Sequence, residues 1–586
     1  MKTVLSLLMV VSLVVAQYPQ YSDPIYPECL DLQDSDFRLV KIFSLSDDST
    51  LSEPMRMDFY QDDSQKVNIY FIERYGTIKY FNATTKKLSV VGKLDVVATD
   101  ADEAGLIGFA LDPGFKDNRF VYFYWTPVSP SVYRLSRFKI SADSNKLDPT
   151  SEKVIVDILD TRIGVNGEPG GFFHNGGSLF FDKKGDLWWT IGEHDHCNVT
   201  PASYHSTTDK ECSGEDNSSD THSWYGSIVR IHLNPDGSYS IPKDNFGEYW
   251  SKKFATEGRM TLSQKYADTS LVRPEIYAKG FTNPMSISID PLTGWAAVSD
   301  CGAQCHKIDP THYCPADGLS EKHILITEPG FHGWPYFHAK NHPYAITVED
   351  EKEPLKPVNL SPFNQGVDTL PPATPATYVY GPPEWGNWIC SVGGTFYRYN
   401  WGNPSDISLP PHFDGVMISS DLNTGWKRAI EIDSGTGAFI KASADLWTTL
   451  LDTTLNKEVS STGKGNVMDL RHGPDGALYL LNYSQRQYTV DETTGLYRIE
   501  YHGDCKPVVG TKDNRTVHHR NIIKSGYIDI DGEYTAEFFK LNGKKVYSLK
   551  GFGKEKLPLA HLPGSGLYKM RVHSNGKILY SIFVKN

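Results

Sequence analysis

The chain has 586 residues, with 58 Lys and Arg against 71 Asp and Glu, a formal net charge of −13. That balance excludes nucleic acid as the expected partner, because phosphate binding needs clustered basic side chains. Hydrophobic residues at 39%, of which many are aromatic, supply ample core and exclude global disorder.

Lys2 precedes an apolar run from Val4 to Val15 that ends at Val14-Val15-Ala16 before Gln17. The run is too short to span a bilayer and has the small-residue exit of a secretory signal peptide, so residues 1–16 are expected to be removed. No later segment is apolar enough for a transmembrane span, and the mature chain is expected to be secreted. In that compartment the eight cysteines (Cys29, Cys197, Cys212, Cys301, Cys305, Cys314, Cys390 and Cys505) predict disulfides. Zinc is the less favoured alternative for Cys301, Cys305 and Cys314, with His306 and His312 nearby. Sequons occur at Asn82, Asn198, Asn217, Asn359, Asn482 and Asn514.

From residue 37 to about 503, short β-branched and aromatic runs recur between Gly, Pro, Asn and Asp turns. Examples are Val67-Asn-Ile-Tyr-Phe-Ile72, Phe120-Val-Tyr-Phe-Tyr-Trp125, Leu187-Trp-Trp-Thr-Ile191 and Ala477-Leu-Tyr-Leu-Leu481. A turn-then-strand motif also repeats, as Lys184-Gly-Asp-Leu-Trp-Trp189, Thr293-Gly-Trp-Ala-Ala-Val-Ser-Asp300 and Pro474-Asp-Gly-Ala-Leu-Tyr479. Many short strands with an irregular repeat predict an all-β fold, a β-propeller whose loops converge on an axial pocket. A pair of β-sandwich domains is the alternative. Residues 195–225 and 340–385 are expected to be insertions, either functional rims or tolerated decoration. Residues 525–586 read as a small C-terminal β-sandwich, with strands near Tyr527, Phe538, Lys545, Leu567 and Ile578.

The most informative segment begins Gly171-Phe-Phe-His174-Asn175 and ends Gly192-Glu193. A strand, a reversal and a second strand bring His174 and Glu193 to one end of a hairpin, where a neutral imidazole can act as general base. A lone histidine is otherwise more often structural.

This hairpin resembles that of the glucose/sorbosone dehydrogenase family, six-bladed propellers that oxidise sugars with pyrroloquinoline quinone (PQQ) and calcium. Other similar pieces follow in family order. They include Asp102-Glu103-Ala-Gly105-Leu-Ile-Gly108, Gly226-Ser-Ile-Val-Arg230, the run Pro274 to Asn283-Pro284, Ser299-Asp300-Cys-Gly302, His332-Gly-Trp334-Pro335 and Gly473-Pro-Asp-Gly476. The resemblance implies that His174 takes the proton of the sugar's anomeric hydroxyl, with Glu193, Glu103 and Trp334 contacting sugar. It implies cofactor contacts from Asn175, Asn283 and Asn423, and calcium on the backbone carbonyls of Gly302 and Ala303; Lys464, which shares a strand face with Asn466 and Met468, is a candidate compensating cation for the cofactor. An external electron acceptor would complete the reaction.

The chain departs from the family where cations are expected: Thr282, Asn423, Asn466 and Met468 stand at those positions. Lys427 and Arg428 lie close in sequence to Asn423, and Arg471 to Met468; they could compensate, but are expected as solvated surface. The sequence therefore supports two functions. One is a quinone-dependent oxidoreductase acting on an aldose or a glycan end. The other is a non-catalytic propeller that binds carbohydrate or protein, with Trp188, Trp189, Trp385, Trp388 and Trp401 as stacking surfaces; alternation buries at least one of the first two. The tail, from Asn542-Gly-Lys-Lys-Val-Tyr547 through Leu562 to Arg571 and Phe583-Val-Lys-Asn586, resembles the C-terminal sorting domain of bacterial type IX secretion. That would attach the protein to a cell surface; an ordinary appended β-domain is the alternative.

Overall fold

The computed structural model describes residues 32–98, 103–159, 174–194, 214–302, 321–338, 340–343, 357–380, 389–400, 404–422, 425–452, 467–484 and 489–503. In the tail it describes 523–524, 527–540, 545–556, 558–564, 566–574 and 577–585. The expected signal peptide lies outside these residues, as do Asn423, Lys464, Asn466, Ala303, Trp385, Trp388 and Trp401.

Six antiparallel sheets follow one another along the chain. The first joins β2 (Pro54–Gln61), β3 (Val67–Glu73), β4 (Thr77–Asn82) and β5 (Lys87–Lys93). The second joins β6 (Leu106–Leu111), β7 (Phe120–Trp125), β8 (Val132–Ile140) and β9 (Leu147–Leu159). The third contains β10 (Gly176–Phe181), β11 (Asp186–Ile191), β12 (Ser227–Leu233), β13 (Tyr239–Ser240) and β14 (Ile276–Lys279). The fourth joins β15 (Pro284–Ile289), β16 (Ala296–Asp300), β17 (Glu321–Ile326) and, after a short ribbon of β18 (Phe337–His338) and β19 (His342–Pro343), β20 (Tyr378–Tyr380). The fifth joins β21 (Ser391–Phe396), β22 (Met417–Asp421), β23 (Lys427–Ile432) and β24 (Phe439–Ala442). The sixth holds β25 (Val467–His472), β26 (Leu478–Asn482) and β27 (Gly495–Tyr501), and its outer position is taken by β1 (Phe37–Ser44) from the other end of the domain.

The first strands of the sheets touch in a closed ring. β2 contacts β6 and β25, and the sequence β6, β10, β15, β21, β25 completes the circle. Six sheets around one axis, with the last stapled by the first strand of the chain, make a six-bladed β-propeller. Pairing Phe37 with Tyr501 and Ser44 with Gly495 removes a free edge and closes the ring without a covalent link.

The ring is bonded by side chains buried between blades. Every residue of β6, β11, β15 and β21 is buried, as expected for sheets covered on both faces. Trp188 and Trp189 are both core, at 2% and 0% exposure, so neither supplies a rim stacking surface. The charged cluster also departs from expectation. Lys427 is 2% exposed and its Nζ donates to the Gly425 carbonyl at 2.6 Å, while Arg428 pairs with Asp445 and Arg471 with Asp469.

Of the expected insertion 195–225, the described part, 214–225, is largely interior. Glu215 through Thr221 are buried and bonded to the body. Ser218 Oγ donates to the Phe281 carbonyl at 2.7 Å, and buried Lys279 donates to the carbonyls of Asn217, Ser223 and Tyr225. Three sequon asparagines are therefore inaccessible. Asn217, Asn359 and Asn482 are 8%, 3% and 0% exposed, and the Asn359 amide donates to Glu215 O at 2.8 Å.

The tail forms a five-stranded antiparallel sheet of β28 (Ile523–Lys524), β29 (Tyr527–Lys540), β30 (Lys545–Lys556), β31 (Gly566–Ser574) and β32 (Lys577–Lys585). Tyr527 and Phe538 share the one strand β29. Tyr534, Ala536 and Phe538 alternate onto the face that packs with Tyr568, Met570 and Val572. Among the described residues no helix is long and apolar enough to cross a membrane.

Candidate active site at the propeller axis

The hairpin β10–β11 carries the site. Gly176 pairs with Ile191, so His174 and Glu193, two residues beyond each strand, emerge side by side. Close packing sets their separation: a Cβ on Gly192 would lie 1.8 Å from the His174 carbonyl oxygen. His174 itself sits in the left-handed region, at φ 57°. Its backbone N–H donates to Glu103 Oε2 at 2.9 Å, which helps to hold this conformation.

His174 Nδ1 lies 3.0 Å from Glu193 Oε1. An ionised carboxylate only accepts, so Nδ1 carries the proton and Nε2 carries the lone pair that takes one. The second Glu193 oxygen accepts the indole N–H of Trp334, and the Glu193 backbone N–H donates to Thr282 O at 2.8 Å. Glu193 is thus an orienting group fixed on both oxygens. The His174 side chain is 21% exposed and that of Glu193 only 5%, so the imidazole meets the solvent side of the site.

Asn283 ties this hairpin to the next blade. Its Oδ1 accepts from the Gly176 N–H at 2.9 Å, and its Nδ2 reaches Glu103 Oε2 at 3.5 Å. Asn175 Oδ1 accepts from Tyr133 OH at 2.8 Å. Buried Asp300 accepts the N–H groups of Thr282 and Asn283 and pairs with Lys322 at 2.8 Å. Glu321 accepts from the amides of Gly302, at 3.1 Å, and Ser391, at 3.0 Å; its burial pushes the carboxyl well above the ordinary range. A disulfide between Cys301 and Cys390 joins blades four and five across the same wall, closing a sequence separation of 89. It also removes Cys301 from any zinc cluster. Among the described residues no group of three or more His, Cys, Asp or Glu side chains could hold a metal.

Beside these residues lies an axial cavity of about 40 Å³, partly open to solvent. It is lined by Met55, Arg74, Glu103, Ile107, Asn175, Gly176, Met285, Cys390, Leu422, Met468 and Tyr483. Sequence reading found Glu103, Asn175 and Met468 but missed Met55, Met285 and Arg74. A signal existed: Met55, Ile107, Met285 and Met468 are each the second residue of an inner strand. Arg74 is 1% exposed; its Nε donates to Glu53 Oε2 at 2.5 Å and a terminal nitrogen to Ala104 O at 3.1 Å.

Four histidines stand apart from catalysis. Burial pulls His323, His332 and His472 down to about 3 and His412 to about 4, so all four are neutral in the fold. Unfolded, each titrates near 6.5, so the unfolded chain binds more protons between that value and the folded one. Stability therefore falls as pH falls below about 6.5, by up to about 1.4 kcal/mol per pH unit for each group. Melting curves between pH 7.5 and 4.5 should show this decline, and His472→Phe should flatten it.

Residues 51–249 match the family model described as Glucose / Sorbosone dehydrogenase. Quinoprotein glucose dehydrogenase B of Acinetobacter calcoaceticus is 30% identical over 212 residues, 34% of this chain and 40% of that protein. The chain thus matches about two fifths of that relative's length. Among solved structures, a putative glucose dehydrogenase of Thermus thermophilus aligns at TM-score 0.46 and 19% identity, covering 79% of this chain and 99% of the other. The PQQ-bound aldose sugar dehydrogenase of Streptomyces coelicolor aligns at TM-score 0.44 and 15% identity, covering 79% and 98%. The chain accordingly resembles the glucose/sorbosone dehydrogenase family, by direct sequence match over residues 51–249, which take in two whole blades and the His174–Glu193 hairpin of the third.

Proposed function

We propose that the chain is an exported sugar oxidoreductase that oxidises the anomeric hydroxyl of an aldose or glycan end, with a quinone as hydride acceptor. The observation that carries this reading is the Trp334–Glu193–His174 relay, bonded through the His174 N–H to Glu103, which lines the axial cavity. His174 Nε2 takes the hydroxyl proton, and Glu193 stabilises the imidazolium that results. Glu103 accepts the His174 backbone N–H and lines the axial cavity, where its carboxylate can accept a second sugar hydroxyl. Trp334 serves by holding Glu193. A quinone supplies the two-electron sink that these side chains lack.

The family's PQQ carries three carboxylates. The described lining offers one guanidinium, Arg74, already ion-paired with Glu53, and one carboxylate, Glu103. That donor set does not fit a triply anionic ligand. Thr282 and Met468, at positions where the family places cations, are neutral. The calcium expected on Gly302 and Ala303 rests on the resemblance alone. The apolar lining also suits the second reading, a propeller that binds glycan without oxidising it.

One assay separates the two. Purified full-length protein is incubated with a panel of aldoses and either PQQ with calcium or a neutral quinone, and acceptor reduction is followed by absorbance. Sugar-dependent reduction that His174→Asn lowers by about 100-fold or more supports the enzyme. Saturable sugar binding without reduction by any acceptor supports the binding module.

A further inference from the structure

We propose that the far end of the propeller axis holds a second, non-catalytic site, a chamber that takes one uncharged monosaccharide unit. It stands apart from the His174 relay, and holds whether that relay oxidises sugar or only binds it.

The chamber measures about 260 Å³, against about 40 Å³ for the cavity beside Glu103, and is partly open to solvent. At about 30 Å³ per water, it has room for about nine waters or for one pyranose with its hydroxyls. Strand position separates the two spaces. Met55, Met285 and Met468, each second in its inner strand, line the small cavity. Asp58, Ile289 and His472, fifth or sixth in the same strands, line the chamber. Three or four residues of strand span about 10–13 Å. Between the two levels, buried Arg56 donates to the carbonyls of Met55 and Met468, both at 3.0 Å, and of Met285 at 2.7 Å. These bonds tie three blades together across the axis.

Charge narrows the occupant. Asp58, Asp469 and Arg471 line the chamber, and Arg56 is close enough to act on Asp469 and Arg471. Two carboxylates set against two guanidiniums leave no net charge to draw an anion or a cation. Among the described residues no set of His, Cys, Asp and Glu side chains there could hold a metal. The wall is a mixed field of donors and acceptors. Asp469 accepts the Met57 N–H at 3.0 Å and pairs with Arg471 at 3.1 Å. One terminal nitrogen of Arg471 donates to Leu179 O at 3.2 Å, and the other makes no hydrogen bond among the described residues. Ser286 and Ser288 give their hydroxyl protons to Gly393 O, at 2.7 Å, and Gly394 O, at 2.9 Å, which leaves their oxygens as acceptors. His472 lines the wall too, and neither of its ring nitrogens has a partner among the described residues. Burial keeps that ring neutral, so it offers one donor and one acceptor.

Phe59, Phe180 and Phe396 add aromatic surface to the same wall. A pyranose presents apolar C–H faces to such rings and a rim of hydroxyls to the polar groups. A charged molecule would lack a counter-charge here, and a wholly apolar one would bury the polar atoms unmatched.

The test titrates full-length protein with methyl glucoside, methyl galactoside and methyl xyloside, whose blocked anomeric oxygen excludes oxidation at His174. Binding is read by calorimetry and by the nitrogen-15 shifts of the His472 ring. At least one glycoside should saturate, with a dissociation constant of about 1 mM or below, and should move the His472 signals. His472→Phe keeps a ring and removes both nitrogens, so it should weaken binding about tenfold and leave sugar-dependent reduction within about twofold. His174→Asn should leave glycoside binding unchanged. If His472→Phe fails to fold, the His472 signals of the unaltered protein decide. Fixed His472 signals at saturation, binding that His472→Phe leaves unchanged, or no binding of any of the three glycosides overturns the proposal and leaves water as the occupant. Binding abolished by His174→Asn places the sugar at the relay and overturns it as well. Chamber binding without sugar-dependent reduction by any acceptor leaves the second site standing and removes the oxidoreductase reading alone.

Discussion

Glu193→Gln is expected to lower kcat/KM for sugar oxidation by about a thousandfold while leaving the melting temperature nearly unchanged. Glutamine is isosteric, but only one of its terminal atoms accepts. Trp334 donates its indole N–H to one Glu193 oxygen and His174 Nδ1 lies 3.0 Å from the other. If the amide oxygen serves Trp334, the amide NH₂ faces Nδ1 and forces that nitrogen to accept. The ring proton then sits on Nε2, where the sugar hydroxyl must deliver its own. Loss of the carboxylate also removes the charge that stabilises the imidazolium. The fall should appear in kcat more than in KM, because a neutral hydroxyl is bound before the proton moves. Nitrogen-15 shifts of the His174 ring should report the tautomer change directly. Trp334→Phe leaves the carboxylate in place and removes only one donor, so its effect should be near tenfold. An unchanged kcat in Glu193→Gln, with the tautomer altered, would remove His174 from the role of base.

Much of this arrangement was legible in the residues, for a local reason. A hairpin is a short-range object: Leu187 to Ile191 announces a strand, Lys184-Gly-Asp a turn, and His174 and Glu193 then fall at one end by counting. The same logic placed β3, β7 and β26 at the runs from which they were expected. What remained hidden depends on the ring. The pairing of β1 with β27 joins Phe37 to Tyr501, and nothing in either strand names the other. Met55, Met285 and Met468 look like ordinary core residues until closure turns three strands toward one axis. Arg56 alternates with apolar neighbours as an edge cation would, yet is buried because three carbonyls from three blades converge on it. Composition misled at 214–221, where polarity suggests a rim. Buried hydrogen bonds from Tyr336, Asn359 and Lys279 satisfy these groups inside the fold. Lys427 was misread similarly, since a backbone carbonyl next to it replaces water.

Gly192→Ala should be the most damaging single methyl addition at the site. Gly192 does not have a positive φ, so the cost is one of contact rather than of backbone strain. The added carbon would stand 1.8 Å from the His174 carbonyl oxygen and 2.5 Å from its carbon, both backbone atoms with no rotamer to yield. The His174 segment must therefore shift. It is held by the Glu103 bond to the His174 N–H and by the His194 N–H on the His174 carbonyl, at 2.9 and 3.2 Å. Breaking these contacts and displacing the hairpin should cost about 3 kcal/mol or more of stability. A movement near 1 Å at His174 also carries a rate loss of about a hundredfold in whatever protein survives. Gly435→Ala is the control, since its Cβ would meet only Asp433 Oδ1 at 3.4 Å and should change stability by less than about 0.5 kcal/mol. Denaturant unfolding of both variants reads the difference. Wild-type stability in Gly192→Ala would mean that the two strand ends do not approach this closely, and the imidazole would lose the carboxylate that sets its tautomer.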